Sequence, residues 1–339
     1  MTGPYSYTAY GLCLSSCIEL PNFSPTEKSN SPDICVEFGA DCLDFSEFEH
    51  VFELSYLTAP LIESVNLEPV DADLHKVAYR ITYWGGVQFV VFDSGAQIRM
   101  SYPATSNFED VAAILAGPVL GFAMRLFGVF CIHASVVAMD GHALALVAPS
   151  GGGKSTTAAA LAARGHTVVS DDVLVLRIER DSVMVQPGFP WLRLCNDSFN
   201  VLTEHGPHLV TKLQGEKQFA PLPQRGYRFT LDPLPLVALY TMNSITERES
   251  ITAIPGSVAL VGLLGHTYPS LFYRLHKSHR ANELTQAKHV LQKVAARGIN
   301  YPRRLDRLTE LCELLERDMR EQILSRSQQR HNAFTSPAT

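Results

Sequence analysis

The sequence predicts an α/β protein, with a mainly β N-terminal domain followed by an α/β domain built around a glycine-rich loop. Three observations carry this reading. Residues 1–105 hold short runs rich in Val, Ile, Tyr and Phe, such as HKVAYRITYW and VQFVVFDSG, separated by turn signals at Gly85-Gly86 and Ser94-Gly95. Across 106–130 the period changes, with Val111, Leu115, Val119, Phe122 and Leu126 near helical spacing. From residue 131 the order becomes strand, glycine loop, helix, strand, the context a phosphate-binding loop requires.

Taken in order, the first domain is expected to be strands and turns with no catalytic motif. The 106–130 segment is expected to be a helical connector, kinked or broken at Pro118. CIHASVVAMDGHALALVAPS reads as two strands joined by a tight hairpin at Asp140-Gly141. KSTTAAALAARGH follows as a helix stopped by Gly165, and TVVSDDVLVLRIERD returns as strand. Leu305, Leu308, Cys312, Leu315 and Met319 mark an amphipathic helix that closes a domain spanning 131–325, and the polar residues 326–339 predict a flexible tail.

Composition excludes several classes. Of 339 residues, 46% are hydrophobic and 18% charged, which fits a packed globular chain. A net charge of -6 provides no general attraction to nucleic acid or to an anionic membrane. No apolar run reaches the length of a membrane span, and the N-terminus lacks the layout of a signal peptide, so a cytoplasmic location is expected. The seven cysteines are odd in number and scattered, so reduced thiols are expected. Cys13, Cys17, Cys35 and Cys42 lack the two-residue spacing of a zinc site.

The chemistry concentrates after residue 130. Ala148 to Ser155, APSGGGKS, follows the Walker A pattern with alanine for its first glycine. After Ser150, the loop's first candidate contact, Gly151, Gly152 and Gly153 free the backbone N–H groups to turn around phosphate oxygens, and the helix behind them presents its positive end. Lys154 supplies a cation, Ser155 a hydroxyl for Mg²⁺, and Thr156 lies beside them. Asp171 and Asp172 end the next apolar run, where one acid can hold metal and the other accept a proton. His133, on the strand before the hairpin, means little alone.

Together His133, SGGGKST and RGHTVVSDD resemble the catalytic domain of bacterial HPr kinase/phosphorylase in order and spacing. The resemblance implies a fold like that domain and like phosphoenolpyruvate carboxykinase, with ATP and Mg²⁺ as cofactors. It further implies Lys154 on ATP, Asp171 as general base toward a serine hydroxyl, Asp172 and Ser155 at the metal, and His133 beside the phosphates. The glycine-rich signature tied to the reverse reaction is replaced by QPGFPWLRLCND, so the acceptor is expected to be something other than HPr. Ala9-Tyr10-Gly11-Leu12 with Leu20-Pro21 is similar to kinases that accompany lasso-peptide clusters, which implies a precursor peptide phosphorylated at its C-terminal serine. The partner expected is thus a peptide or protein with a Ser or Thr acceptor, and a homo-oligomer is compatible with the sequence.

Among Arg193, Lys212, Lys217, Arg225 and Arg228, Lys217 is the candidate for nucleotide contact, because it falls in a Gly-Glu-Lys turn. Two alternatives stay open: an ATP hydrolase or nucleotide switch, and an ATP-binding scaffold that recruits a peptide.

Overall fold

The computed structural model describes residues 3–39, 49–52, 61–66, 77–92, 94–195, 198, 211–212, 217–222, 226–268 and 279–335. It is a mixed α/β structure with two large sheets. The first contains β1 (Tyr5–Ala9), β2 (Leu12–Ser16), β3 (Ser24–Pro25), β4 (Ile34–Phe38), β5 (Glu49–Phe52), β6 (Leu61–Asn66), β7 (Val77–Thr82), β8 (Gln88–Phe92) and β9 (Gln97–Ser101). Their order is β3-β1-β2-β4-β9-β8-β7-β6-β5. The turn signals at Gly85-Gly86 and Ser94-Gly95 separate β7, β8 and β9 as expected. His75, Lys76 and Cys42 lie outside the described residues.

The 106–130 segment is helical, as its period predicts, and is irregular at Pro118. It forms α1 (Phe108–Ile114) and α2 (Leu120–Leu126), joined through one wide π turn at Leu115–Val119 that contains Pro118. Proline removes one helical hydrogen bond, and the π turn absorbs the loss without ending the helix. Asn107 caps the start, its side chain accepting from the Glu109 N–H at 2.9 Å. Nearly every side chain is buried, because the helix lies in one core with strands of the first sheet and with Cys131, Val173, Val175, Phe189 and Trp191 beyond it. Arg125, 1% exposed, is paired there with Glu283.

The second sheet holds β10 (Cys131–Ile132), β11 (Ala134–Met139), β12 (His142–Val147), β13 (Thr167–Ser170), β14 (Leu174–Ile178), β15 (Val183–Gln186), β19 (Leu234–Ile245), β20 (Ser250–Ala253) and β21 (Ala295–Tyr301). A small third sheet is made by β16 (Trp191–Cys195), β17 (Thr211–Lys212) and β18 (Lys217–Pro221). Among the described residues follow helices α3 (Lys154–Ala163), α4 (Gly256–Gly265), α5 (His279–Leu291) and α6 (Leu308–Thr335).

Alternation along the strands explains the layering. Val137, Met139, Leu144 and Leu146 pack on α3 and α6. Their neighbours Val136, Ala138, Ala143 and Ala145 face α4 and α5. The β11–β12 hairpin turns at Asp140 (φ 48) and Gly141 (φ 74), the left-handed pair a tight two-residue turn needs. Helix α3 ends on Gly165 (φ 96), with the His166 N–H reaching back to the Leu161 carbonyl at 3.1 Å. The residues from which a tail was expected are helical over 326–335. Helix α6 runs to Thr335, and Arg326 donates to the Leu236 carbonyl at 2.6 Å.

Direction in this sheet sets the site. Strand β11 is antiparallel to both β12 and β13, while β19 is parallel to β12 and β21 parallel to β19. Strands β12, β13 and β21 therefore deliver the glycine loop, the acidic pair and Tyr301 to one edge, the carboxyl end where open α/β sheets bind ligands.

Candidate active site

At that edge lies a cleft of about 230 Å³, lined by His133, residues 151–157, Asp172, Arg193, Cys195, Ser198 and the Tyr301–Leu305 segment. No helix among the described residues is long and apolar enough to cross a membrane.

The loop has the shape its composition predicts. Gly151 (φ 76) and Gly153 (φ 88) are left-handed, a conformation L side chains resist. A side chain at Gly152 would put its Cβ 2.6 Å from that of Ala148. The alanine that replaces the first Walker glycine is thus accommodated by the absence of a side chain at Gly152. Lys154 is 5% exposed and donates from Nζ to the Ala148 carbonyl at 2.8 Å and the Pro149 carbonyl at 3.2 Å. Thr156 shares a 2.8 Å hydroxyl bond with Ser198, which also meets Cys195 Sγ at 3.0 Å. Ser150 is exposed at the loop's start.

The strand pair breaks at the acidic residues. Asp172 has φ 72, and the Val173 N–H bonds the Asp171 carbonyl at 2.9 Å, so the chain makes a tight three-residue turn of the strained kind. The two carboxyls then occupy different surroundings. Asp171 is 7% exposed and accepts from Ser135 Oγ (2.5 Å) and Ser155 Oγ (3.0 Å) on Oδ1, and from the Arg193 N–H (2.8 Å) on Oδ2. Burial pushes its pKa up against the opposing pull of Ser135, the Arg193 amide and Ser155. Burial also works to raise Asp172, but His133, Arg193 and Tyr268 outweigh it and hold that carboxyl well below the usual range. His133 Nδ1 lies 3.3 Å from Asp172 Oδ1, Tyr268 donates to Oδ2 at 2.9 Å, and Arg193 Nη1 stands 3.8 Å away.

The continuous helix formed by α1, the π turn and α2, central to the first core, makes room for this arrangement. A Cβ at Gly117 would lie 3.1 Å from Asp172 Oδ2, and one at Gly121 would lie 3.0 Å from the Tyr268 ring. Tyr268 in turn stacks on His133, with ring centres 5.2 Å apart.

The donors around Ser155 suit a magnesium ion. Ser155 Oγ is a hard oxygen at the start of the loop helix, and Asp172, next to the Asp171 that Ser155 bonds at 3.0 Å, lines the same cleft. Ser155 bonds Asp171, while Asp172, the carboxyl expected with Ser155 at the metal, contacts His133 and Tyr268. Held there with ATP, magnesium would supply neutralising charge at the phosphate oxygens.

The structure therefore gathers His133, Lys154, Ser155, Asp171 and Asp172 at one edge. Lys217 pairs by backbone with Cys195, which lines the cleft, but its side chain lies outside the described residues, as does that of Lys212 and all of Arg225. Arg193 contacts both acids. Sequence reasoning passed over Ser135, Tyr268 and Arg303. Ser135 was within reach, since it is two residues from His133 along an extended segment and so shares its face. The run Pro302-Arg303-Arg304 was a visible basic cluster, whereas nothing local marked Tyr268.

No protein-family model matches the chain, and no curated protein matches it. Among solved structures, the HPr(Ser) kinase/phosphatase from Coxiella burnetii is similar at 12% identity and a TM-score of 0.32, over 57% of this chain and 97% of that one. At this level the likeness carries no weight for function, which rests on the residues of the cleft.

Proposed function

We propose that this chain is an ATP-dependent kinase that transfers the γ-phosphate to a Ser or Thr hydroxyl of a peptide or protein. One observation carries the reading. A three-glycine loop with its lysine, an anion cradle at the N-terminus of α3, is hydrogen-bonded through Ser155 to an acidic turn, beside the same cleft. In this reading the loop amides and Lys154 hold the phosphates, Ser155 and the acidic turn hold Mg²⁺, and an aspartate takes the acceptor's proton as the O–P bond forms.

Asp171 is the proposed proton acceptor. Burial makes it the more basic of the two carboxyls, against the opposing pull of the serine hydroxyls that donate to its Oδ1. A second reading assigns the proton to Asp172, because Asp172 is the acid that lines the cleft. His133 acts in both by holding Asp172.

The acceptor we propose is a peptide, including one that ends in serine, as the likeness to lasso-cluster kinases implies. The test is transfer of label from γ-labelled ATP to Ser and Thr peptides with free or amidated C-termini. Equal labelling of the two forms would remove the terminal-serine proposal. Release of free phosphate that is indifferent to any acceptor would favour a hydrolase or switch, and ATP binding without turnover would favour a peptide-recruiting scaffold.

A further inference from the structure

The strand that closes the second sheet reaches back to the glycine loop. Tyr301, the last residue of β21, donates its hydroxyl to the Gly152 carbonyl at 2.5 Å, from 149 positions downstream. Arg303, two residues later, donates from Nη2 to the neighbouring Gly151 carbonyl. Two consecutive carbonyls of the loop are thus gripped by one short segment.

The chemistry of each group suits the task. The Tyr301 ring belongs to the core with Met242, Leu311 and Leu315, so its hydroxyl is held in place. Burial pushes the phenol's pKa up, against the smaller opposing influence of Arg303, so it stays protonated and able to donate. Arg303 is exposed, and its planar guanidinium offers several N–H donors and no acceptor.

We propose that Tyr301 and Arg303 are positioning residues that set nucleotide affinity by ordering the glycine loop before the phosphates arrive. This rests on the reading of the loop as an ATP site. Three glycines lose more conformational freedom on ordering than any other residues would. Hydrogen bonds that order them in the empty protein remove part of that cost from binding. The effect belongs to nucleotide affinity and leaves the acceptor's KM untouched.

Full-length protein is titrated with Mg-ATP and Mg-ADP by calorimetry, and amide exchange of residues 150–153 is followed without nucleotide. Tyr301→Phe keeps the buried ring and loses only the donor. It is expected to weaken binding roughly 2- to 10-fold, the worth of one net hydrogen bond. Arg303→Ala is expected to do the same, Arg303→Lys to recover most of the loss, and the double variant to show the fastest loop exchange. Binding within about twofold of wild type in the Tyr301→Phe, Arg303→Ala double variant, with unchanged exchange, would overturn the clamp. Wild-type protein that binds no nucleotide would instead contradict the kinase reading. Exchange alone would then decide the clamp, unchanged rates in the double variant counting against it.

Discussion

The Ser155 hydroxyl donates to Oδ1 of Asp171 at 3.0 Å, which ties the first turn of the loop helix directly to the acidic turn. Two segments 16 residues apart are thereby fixed at one edge of the sheet. The contact pairs the metal-type hydroxyl with the buried acid and leaves the other acid to line the cleft.

Substitution separates the two roles. Loss of a general base typically costs about 10² to 10⁴ in rate. Asp171→Asn is expected to lose turnover in that range at saturating Mg-ATP, and Asp172→Asn to weaken nucleotide and metal binding with a smaller loss of maximal rate. The check is kcat and KM for both variants across a magnesium series. The reverse pattern would transfer the base to Asp172.

The pH profile gives an independent answer, because the two acids are shifted in opposite directions. A base must be ionised to accept a proton. If Asp171 is the base, the acid limb of kcat/KM lies above the ordinary aspartate value of about 3.9. With Asp172 in that role it lies below.

Stability follows the same signs. Asp171, raised in the folded state, favours folding when protonated, and this contribution is lost as pH rises from about 3.9 through its folded value. Asp172, depressed, contributes at all pH values above about 3.9 and loses its contribution as pH falls further. At neutral pH, Asp171→Asn is expected to change stability by less than about 1 kcal/mol, since the serine hydroxyls can rotate to accept from the new amide. Asp172→Asn is expected to cost about 1.5 to 3 kcal/mol through the loss of its charge beside Arg193 and of its bond from Tyr268. Denaturant midpoints at pH 7 measure both.

How much of this was legible in the sequence depended on how local each signal was. The loop, the hairpin at Asp140-Gly141 and the helix stop at Gly165 are set by residues within a few positions, where glycine conformation decides the outcome. The central helix was harder. Its helical period was visible, but Pro118 argued for a break, and its burial comes from sheet residues far away in the chain. Gly117 and Gly121, four apart, were the overlooked sign of close approach by Asp172 and Tyr268. The division of labour between adjacent aspartates was not legible, since it depends on the left-handed turn at Asp172.

That central helix yields a further test. Arg125 and Glu283 are 1% and 4% exposed and form an ion pair between α2 and α5. Removing Glu283 takes the carboxylate away from a buried guanidinium, so Glu283→Ala is expected to destabilise the fold by about 3 to 5 kcal/mol. Thermal or denaturant unfolding is the measurement, and a loss below about 1 kcal/mol would show the pair to be solvated in solution.

Lys154 tests the central claim most directly. Label transfer from γ-labelled ATP to a Ser or Thr peptide panel is measured for wild type and for Lys154→Ala, with folding of the variant checked by circular dichroism. The account predicts label on peptide with wild type, and none with a folded Lys154→Ala protein. Equal transfer by both, or failure of the wild type to bind Mg-ATP at all, would contradict it.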